Sequence, residues 1–138
     1  MRYKGIKGKY WVLLSEYVRK RDYLNYGRCI TCNKRVSDWR ELQAGHFAPA
    51  SNCGFGLLFD PDNVHGECPY DNGFNEGHLI HYKTNLIKRY GEEFVSRLER
   101  RYNDSRYKGV ITKEWTKLEY ETKITELKAK IAQLDRKL

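Results

Sequence analysis

No stretch of this sequence approaches the roughly 20 consecutive apolar residues that a membrane-crossing helix needs. The opening MRYKGIKGKY is basic but lacks the apolar stretch of a signal peptide, so the expected location is the cytoplasm, with no membrane partner. There is no internal repeat and no low-complexity tract, and 138 residues are too few for a multidomain enzyme. Full disorder is excluded as well, because 40% of the residues are hydrophobic. The composition suits a single domain with a modest core and an appended helix.

Acidic residues are the scarcer charge, 18 against 26 Lys and Arg, giving +8. The excess is local. Residues 1–28 carry eight basic and two acidic side chains, residues 29–111 eleven of each, and residues 112–138 seven and five. In the basic segment Tyr3, Tyr10, Trp11, Tyr17, Tyr23 and Tyr26 alternate with the cations, a composition that attracts a phosphate backbone through counterion release and ring contacts. A solvated basic surface that keeps the protein soluble gives the same pattern. Arg19, Lys20 and Arg21 are the candidate DNA contacts, on a helix over residues 9–24 whose other side carries Trp11, Leu14, Tyr17 and Val18.

Short strands are expected at 41–47 and 56–59, with turns at 49–54 and 60–63. Helical spacing returns at 78–90 and 92–102 and breaks at the polar joint 103–109. From residue 112 onward there is no Gly or Pro, and Ile124, Leu127, Ile131, Leu134 and Leu138 recur at steps of three and four, the seam of a coiled coil or a helix hairpin. The expected organisation is a basic N-terminal arm and helix (1–28), a core (29–102) and a C-terminal helical arm (110–138) that serves dimerisation.

The cysteines are the sharpest signal. Cys29-Ile-Thr-Cys32 is followed after 35 residues by Cys68, and the CxxC bite lets one turn present two thiolates to a tetrahedral ion. In a reducing compartment metal is the natural use of such thiols, and zinc is the expected ion. The fourth ligand is open between Asp71, His65 and Cys53, since zinc accepts carboxylate oxygen, imidazole nitrogen or thiolate. A small buried hydrophobe is the competing role for a free cysteine, and it suits Cys53 better than the CxxC pair.

Between the halves of that knuckle lies Ala44-Gly45-His46-Phe47, followed by the turn residue Asn63 and, just past the last ligand pair, Asn72. This constellation resembles the ββα-metal, or HNH, nuclease site. The stretch from Trp11 to Leu98 is similar, more specifically, to the bacteriophage NinG/Rap recombination family, which is related in plan to phage endonuclease VII. The matching residues are Trp11 with residues 15–22, Cys29 to Lys34, Ala44 to Phe47, Phe59-Asp60, Asn63-Val64-His65, Cys68, Asn72, Leu79, Tyr82, Leu86 and Gly91-Glu92-Glu93.

The resemblance implies an α+β fold: a zinc-stapled ββα-metal core with an N-terminal helix and C-terminal helices. It implies a phage-encoded nuclease in the bacterial host that uses Mg2+ or Mn2+ on branched DNA such as Holliday junctions, alongside other phage recombination proteins. By position His46 takes the place of the general base, Asn72 that of a metal-ligating helix residue, and Asn63 that of the residue tying the loop down. A homodimer would match the two-fold symmetry of a junction.

The chain departs from the pattern at three points. Asp71 stands where the family has Cys. Gly45 brings no ligand before the base, as wider HNH sites do, so His65 is the expected substitute at the catalytic metal. His78 stands where the family has Asn, with His81 nearby on the same face; metal or phosphate contact competes there with a solvated helix face. The reading from another class is a zinc-knuckle DNA-binding or adaptor protein without catalysis.

Overall fold

The structure, a computed structural model, describes residues 3–73 and 78–138. Its first helix, α1 (Gly5–Asn25), forms because Tyr10, Leu14 and Val18 recur every fourth residue and bury one stripe, which Asp22 extends by a further turn. A two-stranded antiparallel sheet follows, β1 (Gln43–His46) with β2 (Val64–Glu67), in a register that pairs Gln43 with Glu67 and Gly45 with His65. The connection between them holds a short helix, α2 (Phe55–Leu58), and a 3-10 turn, Pro61–Asn63, that starts on the Asp60 carboxylate. After β2 come α3 (Pro69–Gly73), α4 (His78–Tyr90), α5 (Glu92–Tyr107) and α6 (Lys117–Asp135), the last opened by a capping box between Thr116 and Glu119.

All four residues of β2 are buried. A Cβ at Gly66 would meet the Leu42 side chain at 2.9 Å and Asp22 of α1 at 3.5 Å, so a larger residue there would displace Leu42 between the hairpin and α1. Against the hairpin, the fully buried Tyr82 of α4 donates its hydroxyl to the Gly45 carbonyl at 2.7 Å.

Two expectations about elements are corrected here. Residues 56–59 belong to a helical turn rather than a strand, and the partner of β1 is Val64–Glu67. Four residues are too few for a period to discriminate, and a strand buried on both faces shows no alternation. The joint at 103–109 is also shorter than expected, since α5 continues to Tyr107.

The C-terminal seam has an intramolecular partner. Tyr120, Ile124, Leu127 and Ile131 are buried in the same cluster as Tyr10, Leu14 and Val18 of α1. Ion pairs at both ends, Lys7–Glu114 at 3.2 Å and Lys20–Asp135 at 2.6 Å, set α6 parallel to α1. The stripe assigned to a dimerisation arm is thus consumed within the chain, because a covalently tethered apolar face is available at far lower entropic cost than a second molecule. Ile124→Ala and Ile131→Ala should each cost about 2–5 kcal/mol of stability in urea unfolding, without changing the sedimentation coefficient of the folded protein.

The basic face expected on α1 is likewise engaged. Lys20 is buried between Glu16 (2.7 Å) and Asp135. Arg21 pairs with Asp22 at 2.8 Å and donates to the carbonyls of Pro61 and Val64. Arg19 bonds the Ser15 carbonyl and packs on the Trp39 ring. Lys20 and Arg21 therefore serve the fold rather than presenting free charge to a phosphate backbone: they lie where α1 meets α6 and β2, and the carboxylates there must be neutralised.

Asp22 is the centre of that second lock, accepting from the Gly66 amide at 2.7 Å. Burial alone would raise its carboxyl, but the adjacent Arg21 guanidinium outweighs burial and holds it well below the usual carboxylate range. The stabilisation is complete above the unfolded value near about pH 4 and is lost as the pH falls through the lower folded value. Asp22→Asn, which leaves Arg21 buried without its partner, should cost about 3–5 kcal/mol at neutral pH and flatten the acid limb of a melting-temperature profile.

Candidate metal and catalytic site

The knuckle is built from a tight turn, in which Cys29 N–H donates to the Lys34 carbonyl and Asn33 takes a positive φ of 63°. Ile30 N–H ties this turn to β2 through the Gly66 carbonyl. Cys68 follows β2 directly, and the first turn of α3 brings Asp71 beside it. One ligand atom from each of Cys29, Cys32, Cys68 and Asp71 lies within 4.8 Å of the others. Cys32 Sγ and Cys68 Sγ are 3.9 Å apart, close to the edge of about 3.8 Å that a tetrahedron with Zn–S bonds of about 2.3 Å requires. Asp71 Oδ2 lies 2.9 Å from Cys68 Sγ and 3.3 Å from Cys29 Sγ.

The amides of Thr31 and Cys68 point at Cys29 Sγ, the donor arrangement that favours a thiolate. Without a cation, burial pushes the Cys29 thiol up to about 11. Burial, joined by the Asp71 hydrogen bond, does the same to Cys68. The four residues can hold a metal ion, and their geometry is compatible with structural zinc.

The other two proposals for a fourth ligand fail on geometry. Cys53 is buried apart from the knuckle, with its thiol on the Gly54 carbonyl. His65 is 1% exposed; its Nε2 donates to the Asp62 carbonyl at 2.8 Å and its Nδ1 takes the Arg21 guanidinium at 3.2 Å. Both ring nitrogens are engaged, so the expectation that His65 supplies a catalytic-metal ligand is also corrected. Its imidazole fastens α1 to β2.

His46 ends β1. Its ring stacks on Trp11 with centroids 5.1 Å apart and planes 17° from parallel, and its Nε2 lies 2.8 Å from the Leu58 carbonyl. A carbonyl can only accept, so Nε2 is the donor in that bond. Asn63 is fully buried. Its Oδ1 accepts from the Ala48 amide at 2.8 Å, and its Nδ2 donates to the carbonyls of Ala48 and Leu57 at 3.1 Å. One side chain thereby fastens the long connection at the end of β1 from within.

On the neighbouring residue, Gly45, an added Cβ would fall against Glu67 Oε1 and lie 2.9 Å from Asn72 Oδ1. Asn72 also donates through Nδ2 to Gln43 Oε1 at 3.0 Å. Glu67 is completely buried, with Oε2 held by the Thr31 hydroxyl and by His78 Nδ1 at 2.6 Å. His78 is thus turned inward, whereas His81 is exposed on α4. Sequence reasoning passed over Glu67; the signal was an acidic residue directly before a knuckle cysteine and opposite a glycine-bearing strand.

The family model described as NinG, Bacteriophage Lambda NinG protein, matches residues 6–136. The "Protein ninG" of Escherichia phage 933W is 30% identical over 103 residues, 71% of this chain and 49% of that protein. Those of Escherichia phage lambda and Salmonella phage P22 are 29% and 28% identical over 124 residues, 86% of this chain and 58% of theirs. The chain spans about half the length of the curated relatives it matches. No solved structure matches.

Proposed function

The chain belongs to the bacteriophage lambda NinG family, and on that premise we propose that it is a divalent-metal-dependent endonuclease that cuts branched DNA in phage recombination. The observation that carries this reading is the meeting of knuckle and hairpin. Asp71, the last residue of the knuckle cluster, is followed at once by Asn72; the Asn72 oxygen faces Gly45, and His46 is the next residue along β1. An oxygen ligand on α3 thus meets β1 at Gly45, the residue before the base, where zinc in the knuckle would hold helix and hairpin together.

In this reading His46 takes a proton from the attacking water, and Asn63 keeps the loop beside it from shifting. Asn72 is a ligand of the catalytic Mg2+ or Mn2+. The bound cation would neutralise charge on the phosphate and the leaving oxygen. Paired incision of a two-fold junction calls for two copies, and their contact must lie outside the α6 stripe that α1 covers.

The test is cleavage of a four-way junction and of linear duplex, with Mg2+ or Mn2+ supplied to the zinc-loaded protein. Preferential cutting of the junction is expected. Tight junction binding without cleavage in either ion would overturn the nuclease reading and leave a zinc-knuckle DNA-binding or adaptor protein.

A further inference from the structure

We propose that Glu67 and Asn72 form a hard-cation site in the space left by the missing side chain of Gly45, with Thr31 and His78 positioning the Glu67 carboxylate. This deepens the nuclease reading, and its use in catalysis rests on that reading.

The argument starts from an unsatisfied group. Glu67 is 0% exposed, and its Oε1 has no hydrogen-bond partner among the described residues. A buried carboxylate oxygen left unpaired costs several kcal/mol, so a native fold keeps one where something binds it. Its partner oxygen is anchored twice, by the Thr31 hydroxyl and by His78 Nδ1, which fixes the direction in which Oε1 points.

That direction is the Gly45 cleft. Glu67 Oε1 and Asn72 Oδ1 both border the volume that a Cβ on residue 45 would occupy. The pairing of Gly45 with His65 and of Gln43 with Glu67 places residues 45 and 67 on the same face of the hairpin. A glycine on one strand thus leaves room for a carboxylate from the other.

The donor chemistry selects the ion. One carboxylate oxygen and one amide oxygen, with room for water or phosphate oxygens, suit Mg2+ or Mn2+ rather than zinc, which the thiol-rich knuckle favours. Asn72 is exposed while Glu67 is buried, so the site opens on one side, as an ion that must also touch a phosphate requires. His78 and Thr31 hold the ligand without contacting the ion, the role in which outer partners typically alter affinity by about 10–100-fold.

The test uses the 138-residue chain with zinc loaded, titrated with Mn2+ and followed by the loss of the free-ion electron paramagnetic resonance signal. One Mn2+ beyond the knuckle metal is expected to bind. Glu67→Gln should abolish that binding, and His78→Ala should weaken it about 10–100-fold, both with unchanged zinc content and circular dichroism. The double variant Gly45→Asp with Glu67→Ala returns a carboxylate to the same volume and should restore binding. Failure of wild-type protein to bind the second ion, or unchanged affinity in folded Glu67→Gln, would overturn the proposal. Should Glu67→Gln not fold, unchanged affinity in His78→Ala together with no binding by the double variant overturns it instead. Binding is read without DNA, so a protein that holds the ion through Glu67 but cuts no junction would refute the nuclease reading and keep the site.

Discussion

If Cys29, Cys32, Cys68 and Asp71 hold zinc, as their geometry allows, its removal is expected to unfold the core of the molecule. Apparent binding energies of structural zinc in small sites are about 10–16 kcal/mol, as large as the whole stability of an ordinary domain, about 5–15 kcal/mol. The knuckle also lies at the junction of several elements. It is tied to β2 through Ile30, it starts α3 through Asp71, and Thr31 reaches the Glu67 carboxylate beside it. Chelation, or Cys32→Ser, should therefore lower the melting temperature steeply and restore exchange to the amides of β1 and β2.

The fourth position separates this ion from other uses of the thiols. Cobalt bound to wild-type protein should show the visible spectrum of a three-thiolate tetrahedral site, and Asp71→Cys should shift it to that of a four-thiolate site with tighter binding. Well-folded protein purified without metal, stable to chelator, would remove the structural role.

His46→Ala is expected to lower junction cleavage by about 10²–10⁴-fold, the usual loss on removing a general base. The stacking on Trp11 and the bond from Nε2 to Leu58 fix the ring plane, so in the proposed reading the ring need not be sorted among rotamers. Junction affinity and zinc content should stay within twofold of wild type, because the side chain is not part of the knuckle cluster. Trp11→Leu, which removes the stacking plane but keeps an apolar side chain, should cost less and act on turnover rather than on affinity. Full activity in purified His46→Ala would eliminate this histidine as the base. The comparison with Glu67→Gln is informative: loss of the base leaves Mn2+ binding intact, whereas loss of the carboxylate removes both binding and cleavage.

The sequence by itself determined the features whose signals are local. The CxxC turn and Cys68 were legible from spacing, and they meet, whereas the choice of Asp71 over His65 and Cys53 beside them came from the fold. Helix 78–90 and the part of α5 from 92 to 102 follow from apolar residues at steps of three and four, because one face must be buried wherever the helix docks. The loop-tying place of Asn63 came from the family resemblance, and its amide does pair there with both a backbone amide and backbone carbonyls.

The tertiary structure alone decided which partner each of these faces and charges would find. A seam at Ile124, Leu127 and Ile131 reads the same whether its complement lies on another molecule or on α1, and tethering chose α1. Arg21 and Lys20 look like free cations until the fold sets Asp22 and Asp135 against them. His65 and Glu67 exchange their expected importance for the same reason. Periodicity reports the face that a residue occupies, whereas only the packed neighbours determine that both nitrogens of His65 are taken and that one oxygen of Glu67 has no partner among the described residues.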